Sequence, residues 1–506
     1  MSIIHKIVRG FFAARNREIE FFRKNPLPIV QQQYDYLISN LAQTSYGNGH
    51  GISKSTTPTE FSKLLPIITY EDIAPEIEKI LSGMCQPFWS SNPLWYAKSS
   101  GTTTTVSKYI PTTADSLKMT HYRGLQDVAA VYSDLYPNGK AFDGKTLTLG
   151  GTLVKNSGKG GGLMGDLSGI LITNTPKVAD LKRVPSKEIS LLPDFEKKIE
   201  LITKLSAKSN ITTFAGVPSW YMVLMNSILD YTGKQNMCEV WENIDFFAHG
   251  GMSFIPYKEQ YKRLFPSDQM KYMETYNASE GFFALQDDPS LDDMLLMLDY
   301  KIYYEFLDVA SLHNPQNAIP LEDVKCGISY AIIISTCGGL WRYMIGDTIT
   351  FTSLSPYRIK ITGRTKHFIN IAGEEIIIDN ADKAIKAACT ATSAHVTDYT
   401  AAPIYMDGKN KGAHEWIFEF ETAPTSVAIF TDVLDKTLQD INSDYLVKRT
   451  GGALGAPLLH IAPQNTFYQW MKNRGKLGGQ NKIPRLSNNR TYIDPLLELI
   501  KTTTCI

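Results

Sequence analysis

The sequence predicts an α/β protein with a large N-terminal domain, residues 1–365, and a small C-terminal α+β domain, residues 366–506. Three observations support this class. The chain has 506 residues, which is too long for one simple hydrophobic core. Segments with helical spacing of apolar residues are interspersed with short β-rich runs up to about residue 352. Beyond Lys366 a helix, a half-buried strand and a second helix follow one another as a small unit.

The N-terminal segment, residues 1–22, is predicted to form an amphipathic helix. Apolar Ile3, Ile7 and Phe11 are interleaved with Arg9 and Arg15. The apolar run is too short and too broken for a secretory signal or a transmembrane span. Packing of this helix on its own domain is the favoured interpretation, and docking on a membrane surface is the alternative.

Local periodicity predicts the remaining elements. Helical spacing continues through residues 13–45 with a break at Pro26 and Pro28, and further helices are predicted at 116–132, 193–206, 220–230, 379–390 and 426–447. Strands are predicted at 146–152, 300–306, 330–335, 340–344, 348–352 and 414–421. Asp379 is the expected N-cap of its helix. The glycine-rich residues 155–165 are predicted to form a flexible loop.

Composition narrows the classes of function. Basic and acidic residues both number 51, so the net charge is zero and favours neither nucleic acid nor an acidic membrane as partner. The six cysteines are scattered without a C-x-x-C pair, and the nine histidines lack metal-ligand spacing. These features predict a cytoplasmic protein without a zinc site, a disulfide framework or stable membrane insertion.

The most informative motif is the loop Lys98-Ser-Ser-Gly-Thr-Thr-Thr-Thr-Val-Ser-Lys108. Its hydroxyls and backbone N–H groups offer donors to phosphate oxygens, and Lys108 adds a mobile positive charge. It has one glycine and lacks the Gly-Lys-Ser/Thr ending of the nucleoside-triphosphatase loop. We predict a phosphate-binding loop of another kind, with a plain surface loop as the alternative.

Four further motifs contain residue types suited to a nucleotide. Small residues in Phe247-Ala-His-Gly-Gly-Met252 would let a planar ring approach the backbone. Ser279-Glu280 would present a hydroxyl to phosphate and a carboxylate to Mg²⁺. Asp347, which ends Trp341-Arg-Tyr-Met-Ile-Gly-Asp347, and the nearby Arg364 are suited to ribose hydroxyls and phosphate. The fifth motif is the basic, glycine-rich Leu477-Gly-Gly-Gln-Asn-Lys-Ile-Pro-Arg485.

In this order the five motifs resemble those of the auxin-responsive-promoter family of acyl-acid-amido synthetases. That family is a branch of the adenylate-forming superfamily, which includes acyl-CoA synthetases and luciferases. The resemblance covers nearly the whole chain, from Asn25 to Arg485, and is greater to the bacterial-type members. It implies the adenylate-forming enzyme fold, with a hinge around Thr365-Lys366 about which the small domain swings between half-reactions.

The activity implied by the resemblance joins a small-molecule carboxylic acid to an amino acid. MgATP and the acid first give an acyl-adenylate and pyrophosphate, and an amine then displaces AMP to form an amide. ATP and Mg²⁺ are therefore the expected cofactors, and the enzyme mainly positions reactants and neutralises phosphate charge. The alternatives are an acyl-CoA synthetase that uses the same adenylate, and a non-catalytic nucleotide- or carboxylate-binding protein.

The resemblance also implies roles for individual residues. The residues expected to hold the β- and γ-phosphates are Ser99, Ser100, Gly101, Thr102, Thr103 and Lys108. Those expected to border the adenine are Gly250, Gly251 and Tyr276. Ser279 is expected near the α-phosphate, and Glu280 at Mg²⁺. Asp347 is expected to bind the ribose hydroxyls, with Tyr343 and Arg364 alongside.

Lys482 is the candidate for the mobile lysine that stabilises charge during adenylation, and an ordinary surface lysine is the alternative. The acyl-pocket candidates are His121 and Tyr122, on the helix after the phosphate loop, with packing residues as the alternative. They match no plant hormone-binding set, so no hormone specificity is inferred. Thr104-Thr105-Val106 stand where many relatives carry extra glycines, which weakens the expected grip of the loop on triphosphate.

Overall fold

The structure, a computed structural model, describes residues 2–99, 108–156, 161–251, 254, 257–365, 368–369, 371, 374, 376–405, 411–450, 454–477 and 482–504. The helices are α1 Ile3–Lys24, α2 Pro26–Leu41, α3 Ser45–Gly49, α4 Pro58–Leu64, α5 Tyr70–Leu81, α6 Ala114–Ser116, α7 Arg123–Leu135, α8 Leu167–Thr173, α9 Lys177–Asp180, α10 Lys187–Ser190, α11 Phe195–Ser206, α12 Pro218–Thr232, α13 Met237–Val240, α14 Lys258–Leu264, α15 Ile378–Thr392, α16 Val427–Ile441, α17 Ser443–Thr450, α18 Thr466–Asn473 and α19 Ile493–Thr504. A π-helical turn, Leu117–Tyr122, joins α6 to α7. In the described part of the chain, no helix combines the length and apolar character needed to cross a bilayer.

The strands form one large sheet and three small ones. Their bounds are β1 Trp95–Ser99, β2 Lys108–Thr112, β3 Lys145–Leu147, β4 Leu153–Lys155, β5 Leu163–Asp166, β6 Arg183–Val184, β7 Ile211–Gly216, β8 Phe246–Gly250, β9 Lys271–Ala278, β10 Gly281–Leu285, β11 Met294–Leu296, β12 Ile302–Asp308, β13 Ile319–Pro320, β14 Ser329–Thr336, β15 Tyr343–Leu354, β16 Tyr357–Arg364, β17 Phe368–Ile369, β18 Ile376–Ile377, β19 His395–Ile404, β20 Ala413–Thr422 and β21 Leu458–Ala462.

The large sheet has twelve strands in the order β13-β12-β14-β15-β16-β11-β10-β9-β8-β7-β3-β6. Its half from β6 to β9 is parallel, and its half from β9 to β13 is antiparallel. Parallel strands need crossover connections, and helices α11, α12 and α14 supply them between β3 and β9. Because β8 runs parallel to β9, its C-terminal end lies on the same side of the sheet as the β9–β10 turn. The candidate site lies there.

The small sheets complete the frame. Strands β2-β1-β5-β4 form a four-stranded sheet, in which β1 pairs antiparallel with β2 and parallel with β5. In the C-terminal part, β17 pairs with β18, and β19-β20-β21 form a three-stranded sheet. These pairings confirm a mixed α/β architecture. Strands β1 and β2 form a hairpin, and the segment predicted to bind phosphate connects them.

The hydrophobic core is divided among several clusters. One lies around the antiparallel half of the large sheet and contains Tyr276, Phe283 and Tyr343. A second is local to the C-terminal segment and includes Trp416 and Phe430. A third combines Trp220 and Tyr261 of the N-terminal part with C-terminal side chains such as Phe467, Trp470 and Ile483. This third cluster means that the two parts of the chain share an apolar interface. Apolar burial of this kind is the main favourable contribution to folding.

Most of the predicted elements are confirmed, and the exceptions have local causes. The α1 helix is present and ends at Lys24, with Asn25 as its C-cap before Pro26 begins α2. The helices predicted at 116–132, 193–206 and 220–230 are present within a few residues. The predicted helix 426–447 is two helices, because Asn442 accepts a hydrogen bond from the backbone N–H of Tyr445 and starts a new one.

Several boundary predictions are wrong. Residues 340–352 are not two strands: β15 starts at Tyr343, after Arg342 at φ +45°. The predicted strand 146–152 is only three residues long, and the one predicted at 300–306 begins at Ile302. Within the predicted loop 155–165, Leu163 begins β5, because it pairs with β1, a partner remote in sequence. Ile377, not Asp379, is the N-cap position of α15.

Arg342 is a buried structural residue within the fourth motif. Its Nε and Nη2 donate to the two carboxylate oxygens of Glu305 at 2.9 and 2.8 Å, and its Nη1 donates to the carbonyls of Ser62 and Leu65 at 2.6 Å each. The two contacts with Glu305 are strong when water is excluded, because a guanidinium matches a carboxylate bidentately. Arg342 therefore links strands β12 and β15 to the N-terminal helices.

Replacing Arg342 with Ala is expected to lower the free energy of unfolding by about 3–5 kcal/mol, because the Glu305 carboxylate would stay buried without its partner. Urea denaturation measures the loss. The matched control is Arg9→Ala, since Arg9 pairs with Asp134 at 3.1 Å on the surface, with 42% of its side chain exposed. Exposed pairs are worth about 0–1 kcal/mol. Equal losses in both variants would contradict a central role for Arg342.

Candidate functional site

The predicted site residues come from strand ends and turns that meet at one edge of the large sheet. Ser279 and Glu280 form the two-residue turn of the β9–β10 hairpin, in which Ala278 pairs with Gly281. Asp347 and Arg364 face each other across the β15–β16 pair. Segments far apart in sequence therefore contribute to one site.

Asp347 is the centre of the hydrogen-bond network. Its side chain is only 9% exposed. The Tyr276 hydroxyl donates to its Oδ2 at 2.7 Å, and the Arg364 Nε donates to its Oδ1 at 2.8 Å. Burial and the Asp347 charge raise the pKa of Tyr276, which keeps that hydroxyl a donor. An aspartate fixed from two sides in this way can accept hydrogen bonds from a diol with its remaining lone pairs.

Glu280 is a buried carboxyl beside the same network. It is 8% exposed, and burial, followed by the Asp347 charge, raises its pKa to about 7. The positive charges of Arg364 and Lys108 act in the opposite direction. When desolvation has raised the pKa of a carboxyl group, a cation placed against it strongly stabilises the charged form. Among the described residues, no group of three or more His, Cys, Asp or Glu side chains could hold a metal ion.

The predicted phosphate loop closes the β1–β2 hairpin. Ser99 and Lys108 are paired in register at the base of this hairpin. Ser100, Gly101, Thr102 and Thr103 lie outside the described residues, as does the side chain of Ser99. The Lys108 Nζ lies 5.3 Å from the centre of the Tyr70 ring, a cation–π distance. The Ser279 hydroxyl donates to the carbonyl of Lys98 at 3.4 Å, which joins the Ser279-Glu280 turn to the base of the loop.

The glycine pair at the end of β8 permits close approach of neighbouring groups to the backbone. A Cβ on Gly250 would lie 2.3 Å from the carbonyl oxygen of Thr275, so a larger residue there would force β8 and β9 apart. Gly251 has φ +79°, in the left-handed region that favours glycine. A Cβ on Gly251 would lie 3.5 Å from the Nζ of Lys482. Lys482, from a distant part of the sequence, therefore lies against this turn.

Lys482 shares the electrostatic environment of Asp347 and Arg364. Desolvation, followed by repulsion from Arg364, lowers its pKa to about 8, while the Asp347 charge opposes the shift. A desolvated ammonium group is stabilised when negative charge develops next to it. The structure thus brings Lys482, Asp347, Arg364, Glu280 and Lys108 together.

The other predicted residues have identifiable neighbours. The His121 Nδ1 lies 3.3 Å from the Asn277 Oδ1, and burial lowers its pKa to about 4. The Tyr122 hydroxyl donates to the carbonyl of Leu171 at 2.7 Å. Tyr343 is fully buried in the core cluster, beside Glu280. His249 stacks on Phe254 with ring centres 4.1 Å apart, and burial lowers its pKa to about 3, so it is neutral at physiological pH.

The sequence analysis missed Asn277, Asp398 and Tyr257, all polar groups near the predicted residues. Asn277 contacts His121 and lies on β9, two residues before Ser279, and its polar side chain next to the buried Tyr276 was the available signal. Asp398 and Tyr257 surround Arg485: the Arg485 Nη2 donates to the Tyr257 hydroxyl at 3.1 Å, and its Nη1 lies 3.4 Å from the Asp398 carboxylate. No local pattern indicated these two, because their strand and helix are remote from Arg485 in sequence.

Family models cover most of the chain. The GH3 family N-terminal domain matches residues 15–165 and 162–270, the GH3 family central domain matches 295–364, and the GH3 family C-terminal domain matches 379–491. A curated relative, indole-3-acetic acid-amido synthetase GH3.4 of Arabidopsis thaliana, is 23% identical over 565 residues, covering 95% of this chain and 92% of the relative.

Solved structures with the same fold include an amido synthetase and an acyl-CoA ligase. The AtGH3.15 acyl acid amido synthetase in complex with 2,4-DB has a TM-score of 0.80 at 17% identity, over 97% of this chain and 96% of that one. A 2-hydroxyisobutyryl-CoA ligase in the postadenylation state has a TM-score of 0.60 at 12% identity, over 94% and 91%. These similarities confirm the predicted adenylate-forming fold.

Proposed function

The chain belongs to the GH3 family, and from this premise we propose that it is an ATP-dependent acyl-acid amido synthetase working through an acyl-adenylate. The observation that carries the proposal is the convergence of Glu280, Asp347, Arg364 and Lys482 at one sheet edge. Two carboxylates and two cations in one place are suited to binding a nucleoside triphosphate together with its metal ion. Relatives named as amido synthetases support the choice of an amine as acceptor.

The proposed reaction has two half-reactions. A carboxylate oxygen of the acid attacks the α-phosphorus of ATP, the bond to pyrophosphate breaks, and pyrophosphate leaves with the electron pair. The lone pair of the amine then attacks the carbonyl carbon of the acyl-adenylate, and the bond between that carbon and the phosphate oxygen breaks. AMP leaves with that pair, and the nitrogen loses its proton to solvent. Positioning and charge neutralisation suffice, and no covalent enzyme intermediate is needed.

Each residue has a defined part in this scheme. Asp347 accepts hydrogen bonds from the ribose hydroxyls, held in place by Tyr276 and Arg364. Gly250 and Gly251 are proposed to border the adenine ring, together with Tyr276. Lys482 is placed to stabilise the negative charge that develops at the α-phosphate. The residues proposed for the β- and γ-phosphates are Ser99, Ser100, Gly101, Thr102, Thr103 and Lys108, with Ser279 at the α-phosphate.

Glu280 is the proposed protein ligand of Mg²⁺. The fit is good because Mg²⁺ is usually bound through one or two carboxylates together with substrate phosphates and water, and a single buried carboxylate of raised pKa gains from such a cation. When bound, the ion offsets the charge of the phosphate oxygens.

We also propose that residues 366–506 act as a mobile domain hinged at Thr365-Lys366. Thr365 donates its backbone N–H to the carbonyl of Gly346 at 2.8 Å, directly beside Asp347, so rotation there would move Lys482 relative to the nucleotide. Lys366 itself lies outside the described residues. His121 and Tyr122 remain the proposed acyl-pocket residues, and the cytoplasmic location remains a prediction.

The experiment that tests the function is pyrophosphate release from MgATP with a panel of carboxylic acids, followed by mass spectrometry after adding amino acids or coenzyme A. Acid-dependent release with a new amide mass is the expected result. A thioester mass would instead support the acyl-CoA synthetase. ATP binding without pyrophosphate release in the presence of any acid of the panel would support a non-catalytic binding protein.

The rate of adenylation is expected to fall at high pH. Because Lys482 has a pKa of about 8, it loses its positive charge above that pH, and kcat/KM for ATP should then fall about tenfold per pH unit. The pH profile of the first half-reaction measures this. Lys482→Arg, whose guanidinium stays charged, should show no such fall whatever its absolute rate. A wild-type profile that is flat to pH 9.5 or so would contradict the assignment.

A further inference from the structure

Helix α1 packs on the rest of the protein with one face. Its buried side chains are His5, Arg15, Ile19 and Phe22. The His5 Nε2 lies 3.0 Å from the carbonyl oxygen of Ser133 on α7, and Arg15 donates to the buried Asp127 of the same helix at 2.6 Å. These contacts fix the rotation of α1 about its own axis, so its opposite face is turned away from the protein.

The outward face of α1 is an apolar stripe, made of Ile3, Ile7, Gly10, Phe11, Ala14 and Phe21. Ile3 and Phe11 are each 78% exposed, Ile7 is 66% exposed and Phe21 is 55% exposed. At about 1.5 Å of rise per residue, the stripe is about 27 Å long. Single exposed apolar residues are common, but several in one row indicate a surface that a partner covers.

Two cations flank the stripe along one side. Lys6 is one helical turn from Ile3, and Arg17 is one turn from Phe21, so each lies beside an apolar side chain on the helix surface. Both are exposed. Within the part of the chain that the structure describes, neither pairs with a carboxylate. Their charges are therefore available to a partner.

The carboxylates of α1 are already paired. Glu18 lies 3.1 Å from Arg15 and 2.9 Å from Arg123, and Glu20 pairs with Arg23. The helix has no acidic residue before Glu18. The outward face is thus locally positive although the net charge of the chain is zero. A second copy of this chain would oppose the cations with an identical face whose carboxylates are engaged, whereas an anionic surface would complement them.

We propose that the outward face of α1 docks on a lipid bilayer that contains anionic lipids. Ile3, Ile7 and Phe11 enter the boundary between headgroups and acyl chains, and Lys6 and Arg17 lie at the level of the headgroup charges. The helix lies flat in this boundary, and its strength of binding depends on both apolar contact and lipid charge. The inference is independent of the proposed function, because α1 contributes no residue to the proposed nucleotide site.

Flotation of the full-length protein with lipid vesicles tests the apolar contact. Binding to phosphatidylcholine vesicles with about 30% phosphatidylserine should fall at least roughly tenfold in the double variant Ile7→Ser/Phe11→Ser. Its unfolding temperature should match that of wild type, since both side chains are exposed. The matched control is Leu181→Ser/Val447→Ser, which removes side chains that are 74 and 60% exposed outside α1 and should bind as wild type.

The same assay tests the charge complementarity. Wild type should bind the phosphatidylserine vesicles roughly tenfold more tightly than vesicles of phosphatidylcholine alone, and the difference should shrink as salt rises from about 0.1 to 0.5 M. In Lys6→Glu/Arg17→Glu the preference should disappear. Lys208→Glu/Lys234→Glu changes the net charge equally at exposed positions outside α1, so it should keep the preference.

Three results would overturn the proposal. The first is no binding to either kind of vesicle, or equal binding to both by wild type. The second is an equal loss in a variant of α1 and in its matched control. The third is a wild-type dimer in analytical ultracentrifugation that becomes a monomer in Ile7→Ser/Phe11→Ser, because the outward face would then be covered by a second copy of the chain.

Discussion

Replacing Glu280 with Ala is expected to reduce acid-dependent pyrophosphate release by at least roughly 10²–10³-fold while the protein stays folded. The carboxylate is buried at the β9–β10 turn next to Asp347, and it is the proposed protein ligand of Mg²⁺. Without it, phosphate charge at this edge of the sheet would be less well neutralised. Pyrophosphate release in saturating Mg²⁺ measures the effect.

The fold of this variant should not suffer. Because burial raises the pKa of Glu280 to about 7, the folded protein binds its proton more tightly than the unfolded chain does. Stability from this group therefore falls as pH rises from about 4.5 towards 7, and above pH 7 the carboxylate disfavours folding. Glu280→Ala should then unfold at the same temperature as wild type or higher at pH 8.

Glu274 provides the matched control. It lies on β9 of the same hairpin, and burial raises its pKa to about 7 as well, but its charged neighbours are Asp292 and Lys360. Glu274→Ala should retain pyrophosphate release, since the charged groups that act on that carboxyl are Asp292 and Lys360 rather than Asp347 and Arg364. Normal turnover in Glu280→Ala, or equal losses in both variants, would remove the metal assignment.

Replacing Lys482 with Ala is expected to slow adenylation by roughly 10²–10³-fold and to slow aminolysis of a supplied acyl-adenylate far less. The reason is that its ammonium group lies near Gly251, Asp347 and Arg364, where the proposed first half-reaction would develop charge at the α-phosphate. Amide formation from a supplied adenylate does not build up the same charge. Pyrophosphate release and AMP release measure the two steps separately.

Lys472→Ala is the control for this prediction. Lys472 lies ten residues earlier, on α18, where it forms a surface ion pair with Glu196 at 2.5 Å. Surface pairs of this kind contribute about 0–1 kcal/mol, so its loss should leave both half-reactions unchanged. Equal slowing of the two steps in Lys482→Ala would indicate a general structural role rather than one in adenylation.

The sequence by itself determined the family, the fold class and most of the elements that hold the site. Helices such as Pro218–Thr232 and strands such as Ser329–Thr336 were predictable because apolar periodicity and proline are local signals. The motifs around Ser279-Glu280 and Asp347 were recognisable because a few consecutive residues are enough to specify a turn or a strand end. Their order along the chain carried the family resemblance.

Only the tertiary structure decided which of these groups act on one another. The pKa of Glu280 depends on burial and on Asp347, which is 67 residues further along the chain. Strand β5 exists because β1 pairs with it, and Lys482 lies against the Gly251 turn in a structure whose N-terminal and C-terminal parts share one apolar cluster. Strand pairing, desolvation and the juxtaposition of remote charges are non-local, so no window of sequence contains them.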